Sequence, residues 1–78
     1  MTHRSGPRRV IVSIAEDRDP GEVVAALRAE GLVVDEVQSS LGTVTGAAEP
    51  GAVSALRRVP GVLDVEYARD VGIPDSEP

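Results

Sequence analysis

Two stretches of equal length decide the fold: DPGEVVAALRAEGLVVDEV, residues 19–37, and EPGAVSALRRVPGVLDVEY, residues 49–67. Shifted by 30 positions they share seven identities: Pro20/Pro50, Gly21/Gly51, Val23/Val53, Ala25/Ala55, Arg28/Arg58, Gly31/Gly61 and Glu36/Glu66. Each stretch begins with an acidic residue followed by Pro-Gly and continues with apolar residues at helical spacing. A Gly then separates this part from a Val-rich run. This order predicts a helix followed by a strand in each half. Part of the match consists of residues that generally mark helix ends, a Pro at the start and a Gly at the end. The match therefore predicts repeated structure and not shared function.

The segments around these two halves complete the predicted order. VIVSIA, residues 10–15, is apolar nearly throughout and predicts a central strand, while residues 1–9 are expected to be disordered. Residues 33–38 and 43–48 predict two strands joined by a turn at residues 39–42.

The last strand is predicted at residues 62–71, followed by an extended C-terminal tail at residues 72–78. The order β-α-β-β-α-β over residues 10–71 predicts one α+β domain of the ferredoxin-like type. In this sandwich a four-stranded antiparallel sheet carries two helices on one face.

The composition excludes most classes of enzyme. The chain has no Cys and no Lys, and its single histidine, His3, falls in the expected disordered start. A thiol nucleophile, a Schiff-base lysine, a disulfide and a His-dependent triad are therefore ruled out. We expect a protein that is not an enzyme and that uses no cofactor and no metal.

The charge balance limits the partners. Eight Arg stand against 13 Asp and Glu, which gives a net charge of −5, and Tyr67 is the only aromatic residue. Both features disfavour nucleic acid as a partner. The apolar runs are too short for a signal peptide or a membrane span, so we expect a soluble cytoplasmic protein with no membrane partner.

The last predicted strand separates its side chains by type. One set is apolar and is expected to face the helices: Leu63, Val65 and Tyr67. The other set is mostly acidic and is expected on the uncovered side of the sheet, here called the open face: Asp64, Glu66, Ala68 and Asp70. Such a row of carboxylates has two interpretations. It keeps the face solvated and so discourages association between sheets, or it binds the helix N-termini or a basic patch of a partner. Acid–base catalysis by paired carboxylates would also require an enclosed cleft that shifts their pKa values apart, and nothing in the sequence indicates one.

The strand predicted at residues 33–38 lacks a clean alternation, because Val33 and Val37 share a side with Asp35. A β-bulge resolves this conflict, and so does an apolar patch on the open face that a partner covers.

The second half of the chain resembles subtilisin-type propeptides and their free-standing inhibitor relatives. In that family a short helix ends in Asp-Pro, a small residue and Val, and a strand with Val-Glu follows; here Pro60-Gly61-Val62 and Val65-Glu66 hold those positions. TVTG, residues 43–46, resembles the strand before the helix, and VIVSI, residues 10–14, resembles the first strand. The resemblance spans roughly residues 9–71 in order and length.

This resemblance implies a protease-binding protein. The family's open face packs on two parallel helices of a subtilase, carboxylates of the last strand cap those helices, and the tail runs into the active-site cleft. Glu66 matches one capping carboxylate, whereas Ala68 stands where the family often has a second, which Asp64 or Asp70 would replace. The other residues that the resemblance implies to bind the protease are Val71, at the end of the predicted last strand, and Gly72 and Ile73 of the tail.

A second resemblance competes with the first. The run DRDPGEVV, residues 17–24, is similar to the Asp-Arg-Pro-Gly start of ACT-type regulatory domains, which share the β-α-β-β-α-β order and bind amino acids at subunit interfaces. It implies a dimerising domain whose ligand residues are Asp17, Asp19, Pro20 and Gly21. Pairing of two copies through the sheet face or an edge is compatible with either resemblance. We expect the subtilase-binding function first and the amino-acid-binding function second.

Overall fold

The predicted order of strands and helices is the observed one. The computed structural model describes residues 6–68 of the 78-residue chain. Its elements are β1 (Arg8–Ile14), α1 (Pro20–Ala29), β2 (Val33–Gln38), β3 (Thr43–Ala48), α2 (Val53–Arg57) and β4 (Val62–Tyr67). Single 3-10 turns at Ser39–Leu41 and Pro50–Ala52 lead into β3 and α2.

Within residues 6–68 the four strands form one sheet in the order β2-β3-β1-β4, with every neighbouring pair antiparallel. With the two helices this is an α+β arrangement of the ferredoxin-like type, as the sequence predicts. The two central strands are β1 and β3, so the apolar run at residues 10–14 is interior to the sheet. The outer strands β2 and β4 border the open face on its two sides.

Helix α1 begins and ends where its sequence predicts. The Asp19 carboxylate accepts a hydrogen bond of 3.0 Å from the backbone N–H of Gly21, and Pro20 occupies the first helical position. Gly31 has φ +107°, a left-handed conformation that glycine adopts without strain. The backbone N–H of Leu32 then donates to the Leu27 carbonyl oxygen at 3.0 Å, which closes the last turn.

The core lies between the helices and one face of the sheet. It consists of small and medium apolar side chains: Val10, Val12, Ile14, Val23, Val24, Leu27, Leu32, Val44, Ala48, Val53, Leu56, Val59 and Val65. Leu27 of α1 and Leu56 of α2 are the largest of the fully buried side chains. Each such leucine contributes about 1.5–3 kcal/mol through removal of its side chain from water.

Two predicted boundaries are wrong. β1 begins at Arg8 instead of at Val10, because the backbones of residues 8 and 9 pair with Ala48 and Ala47 whatever their side chains. β4 ends at Tyr67, and Ala68 lies beyond it. Residues 1–5 of the expected disordered start and the whole tail at residues 72–78 lie outside the described residues.

The prediction that Leu63 faces the core with Val65 is also wrong. The β1–β4 register shifts between Ser13 and Ile14, so that Ile14 pairs with Val62 and Ser13 pairs with Asp64. Leu63 is the extra residue of this bulge, and its side chain is 70% exposed while Val65 is 1% exposed. A single inserted residue breaks the two-residue alternation from which the orientation of Leu63 was predicted.

A second bulge explains the mixed pattern of β2. The register against β3 shifts between Val34 and Glu36, which pair with Gly46 and Thr45, and Asp35 is the extra residue. Val34 packs against the core, whereas Val33 is 70% exposed. The bulge is therefore the resolution that the structure shows, and the partner-covered apolar patch stays a prediction.

Candidate binding surface

The open face has a floor of small, half-buried side chains from the two central strands. Because alternate residues of β1 and β3 are buried under the helices, the residues between them lie on the opposite side. These floor residues are Ile11, Ser13, Thr43, Thr45 and Ala47, and all are half-buried. Arg9 lies on the same face, since its backbone pairs with that of Ala47.

Carboxylates border this floor on the β4 side. Asp64 pairs with Ser13 and Glu66 pairs with Ile11, which places both carboxylates on the open face, and both are exposed. This agrees with the predicted acidic row. Ala68 is half-buried, and its backbone N–H donates to the Arg9 carbonyl oxygen at 2.9 Å. Asp70, Val71, Gly72 and Ile73 lie outside the described residues.

Acidic side chains border the floor on the β2 side as well. Glu36 pairs with Thr45 and is exposed on the open face. The Arg9 guanidinium Nη2 of β1 contacts the Asp35 carboxylate Oδ2 at 3.0 Å and so spans β3. Both side chains of this ion pair are more than half exposed, so it contributes about 0–1 kcal/mol.

The charges of the open face do not cancel. Arg9 is matched by Asp35, which leaves Glu36 on one side of the floor and Asp64 and Glu66 on the other. Among residues 6–68 the open face thus has one carboxylate without an ion pair on its β2 border and two on its β4 border, with polar and aliphatic groups between them.

A cleft of about 510 Å³ lies at the end of the sheet where β1 passes into α1. It adjoins the open face at Ser13 and Thr43, and Glu16 and Arg18 contribute opposite charges to its lining. Exposed apolar side chains from three separate segments also line it: Val37, Leu41 and Leu63. The cleft therefore suits a group that is apolar on one side and polar on the other.

Of the ligand residues implied by the ACT resemblance, Pro20 lines this cleft. The Asp19 carboxylate is occupied as the cap of α1 through its hydrogen bond to Gly21. Asp17 is exposed in the loop before the helix. The turn-and-cap role accounts for the Asp-Pro-Gly sequence without a ligand.

The part of the chain that the structure describes offers no group of three or more His, Cys, Asp or Glu side chains placed to hold a metal ion. The cleft contains the hydroxyls of Ser39 and Ser40, and residues 6–68 contain no His or Cys to activate them or act in their place. The helices within that range are too short and too polar to cross a membrane.

Sequence reasoning missed the apolar lining of the cleft. Leu63 was assigned to the core because nothing in the sequence marks the bulge that displaces it. Leu41 lies in the predicted turn between β2 and β3, and an exposed leucine in a tight turn is a signal that was available.

Comparison of the chain with family models, with curated proteins and with solved structures finds no match. These comparisons neither support nor refute the two resemblances.

Proposed function

We propose that this protein binds a subtilisin-like protease without itself being an enzyme, as a propeptide-like inhibitor or folding assistant. The observation that supports this most strongly is the exposed pair Asp64 and Glu66 on a sheet face that no helix of residues 6–68 covers. In the resembling family the corresponding face is the one that meets the protease.

The chemistry of the contact follows from carboxylates and helix ends. The first backbone N–H groups of a helix lack partners within the helix and carry partial positive charge. Glu66, at the position of a capping carboxylate, would accept such N–H groups from one helix of the protease. Asp64, two residues earlier on the same face, would serve a second helix in place of the carboxylate absent at Ala68.

The C-terminal residues would complete the complex. In the proposed complex residues 71–73 extend into the active-site cleft and add a strand there through backbone hydrogen bonds. Pro74 and Pro78 lack backbone donors and limit how far this pairing extends.

The test measures complex formation and inhibition against a panel of subtilases at micromolar concentration. Glu66→Ala should weaken binding by about tenfold or more, because it removes a hydrogen-bond acceptor that is charged. Glu22→Ala removes the same charge from α1, on the other side of the sheet, and should leave binding unchanged. Unchanged thermal unfolding of Glu66→Ala is expected since the side chain is exposed.

Absence of any complex across the panel, for the wild type and for chains with an altered tail, would contradict the proposal. A complex insensitive to Glu66→Ala would place the contact elsewhere.

The cleft at the end of the sheet favours a second candidate, an ACT-like domain that binds an amino acid and dimerises. Pro20 and the opposite charges of Glu16 and Arg18 line that cleft. Calorimetry with the free amino acids and light scattering in their presence test it. Amino-acid-dependent dimerisation without protease binding would favour this candidate over the first.

A further inference from the structure

The cleft at the end of the sheet is held open by backbone contacts on both of its sides. The Ile14 backbone N–H donates to the Gly42 carbonyl oxygen at 2.8 Å, and the Ala15 N–H donates to the Gly61 carbonyl oxygen at 2.8 Å. The end of β1 is thereby tied to the turn before β3 on one side and to the turn before β4 on the other. The cleft therefore exists before any ligand binds, and its volume of about 510 Å³ is in the range of small-molecule sites.

Exposed aliphatic side chains stand on both sides of the cleft. Leu41 lies in the turn on the β3 side and is 69% exposed, while Leu63 lies on the β4 side and is 70% exposed. Among residues 6–68 five large apolar side chains are exposed, and three of these five line this one cleft, Val37 being the third. Successive side chains of an extended peptide point in opposite directions. A ligand with two neighbouring aliphatic residues would therefore contact both sides, whereas a single side chain would contact one.

The polar part of the lining carries both signs of charge. Glu16 and Arg18 are exposed in the cleft, and within residues 6–68 they form no ion pair with each other. A dipeptide has its ammonium and carboxylate groups at opposite ends, so it can meet both residues at once. The hydroxyls of Ser39 and Ser40 can donate to and accept from the peptide group between those ends. A fatty acid would satisfy Arg18 but would bring a second negative charge to Glu16.

We propose that this cleft binds a free dipeptide with two aliphatic side chains, its ammonium group near Glu16 and its carboxylate near Arg18. The inference does not rest on the subtilase contact, which uses the acidic row of β4. It also differs from the amino-acid candidate, because the ligand needs a second side chain and a peptide group.

The experiment titrates the full chain with leucyl-leucine and follows the backbone amide NMR shifts. We expect saturable shifts, largest at Ala15, Leu41, Gly42 and Leu63, with the Arg8 end of β1 unaffected. The dissociation constant should be about 0.1–1 mM, as is usual for a ligand of this size.

Three control ligands each remove one feature of the dipeptide. N-acetyl-leucyl-leucine amide lacks both charges, free leucine lacks the second side chain, and glycylglycine lacks both side chains. Each should bind about fivefold more weakly or worse, because exposed charge pairs and partial apolar burial each contribute modestly.

Matched variants locate the site. Leu63→Ala should weaken leucyl-leucine binding by about threefold or more, whereas Val33→Ala should leave it unchanged, since Val33 is also 70% exposed but does not line the cleft. Arg18→Gln should weaken binding about threefold, and Arg28→Gln, the same charge change on α1, should not. Gln keeps the Cβ and Cγ atoms that lie near Gly61, so both Arg variants should unfold at the wild-type temperature.

Several outcomes would overturn the inference: no saturable shifts at the cleft at millimolar leucyl-leucine, equal affinity for the blocked peptide, or equal losses in Leu63→Ala and Val33→Ala. Free leucine binding as tightly as leucyl-leucine would also overturn it and would support the amino-acid candidate. A subtilase complex formed by a chain that does not bind the dipeptide would leave the first proposed function standing alone. Dipeptide binding without any subtilase complex would support this inference and contradict that function.

Discussion

Gly46 is the position where a single atom matters most to the sheet. A Cβ built on this buried residue of β3 would collide with the backbone carbonyl oxygen of Val33 and would come within 3.1 Å of Leu32 Cδ1. The first obstacle is backbone in the neighbouring strand, which cannot rotate away as a side chain can. Glycine is therefore required here by close approach, and not by its backbone angles.

The substitution Gly46→Ala should lower the free energy of unfolding by about 1–3 kcal/mol, the usual cost of forcing an extra carbon into a packed region. Urea denaturation followed by circular dichroism measures the change. Gly51→Ala is the matched control, because a Cβ there meets nothing within 4 Å, and it should stay within about 1 kcal/mol of the wild type. Equal midpoints for the two variants would contradict the close approach.

Arg57 and Arg58 show how adjacent residues of one type acquire different roles. Arg57 Nη2 donates to the Val65 carbonyl oxygen at 2.9 Å and thereby covers part of the outer edge of β4. Arg58 ends α2 as its C-terminal cap residue and lines a shallow surface pocket. Both positions suit the negative end of the helix dipole, so the sequence alone does not distinguish them.

The outer strands β2 and β4 each contain a bulge, and these bulges decide what the open face presents. In β2 the extra residue Asp35 reaches Arg9, and in β4 the extra residue Leu63 leaves the core for the cleft. Bulged edges also pair poorly with further strands, which protects the sheet from edge-to-edge association.

Leu63→Ala and Leu56→Ala remove the same atoms from opposite environments. Leu63 is mostly exposed, so its truncation should change the free energy of unfolding by less than about 0.5 kcal/mol. Leu56 is fully buried, and its truncation should cost about 2–5 kcal/mol. Chemical denaturation of both variants measures the difference, and comparable losses would mean that Leu63 belongs to the core after all.

The order of strands and helices along the chain and the capping of α1 follow from residues close together in the sequence. Asp19-Pro20 and Gly31 mark the limits of α1 through local backbone preferences, and so they are predictable. The position of Leu63 depends on how β4 registers against β1, some fifty residues away in the chain. No local preference in residues 62–64 records that register, which is why the prediction failed there.

Over the whole molecule the acidic excess bears on self-association. The net charge is −5, and among residues 6–68 part of the acidic excess lies on the two borders of the open face. We expect a monomer of 8.1 kDa in light scattering at micromolar concentration and physiological salt, without added ligand. A stable species of twice that mass would contradict this expectation and show that two copies pair in spite of the charge.

The sequence by itself determined the order of strands and helices and the small aliphatic core. It also excluded a thiol nucleophile, a disulfide and a Schiff-base lysine, since the chain has no Cys and no Lys. Composition and short-range pattern carry this information. Only the tertiary structure decided that Arg9 neutralises Asp35, that Glu36 joins Asp64 and Glu66 around one floor, and that Leu63 lines a cleft. These relations join residues on different strands, and their geometry is set by strand register and bulges when the sheet assembles.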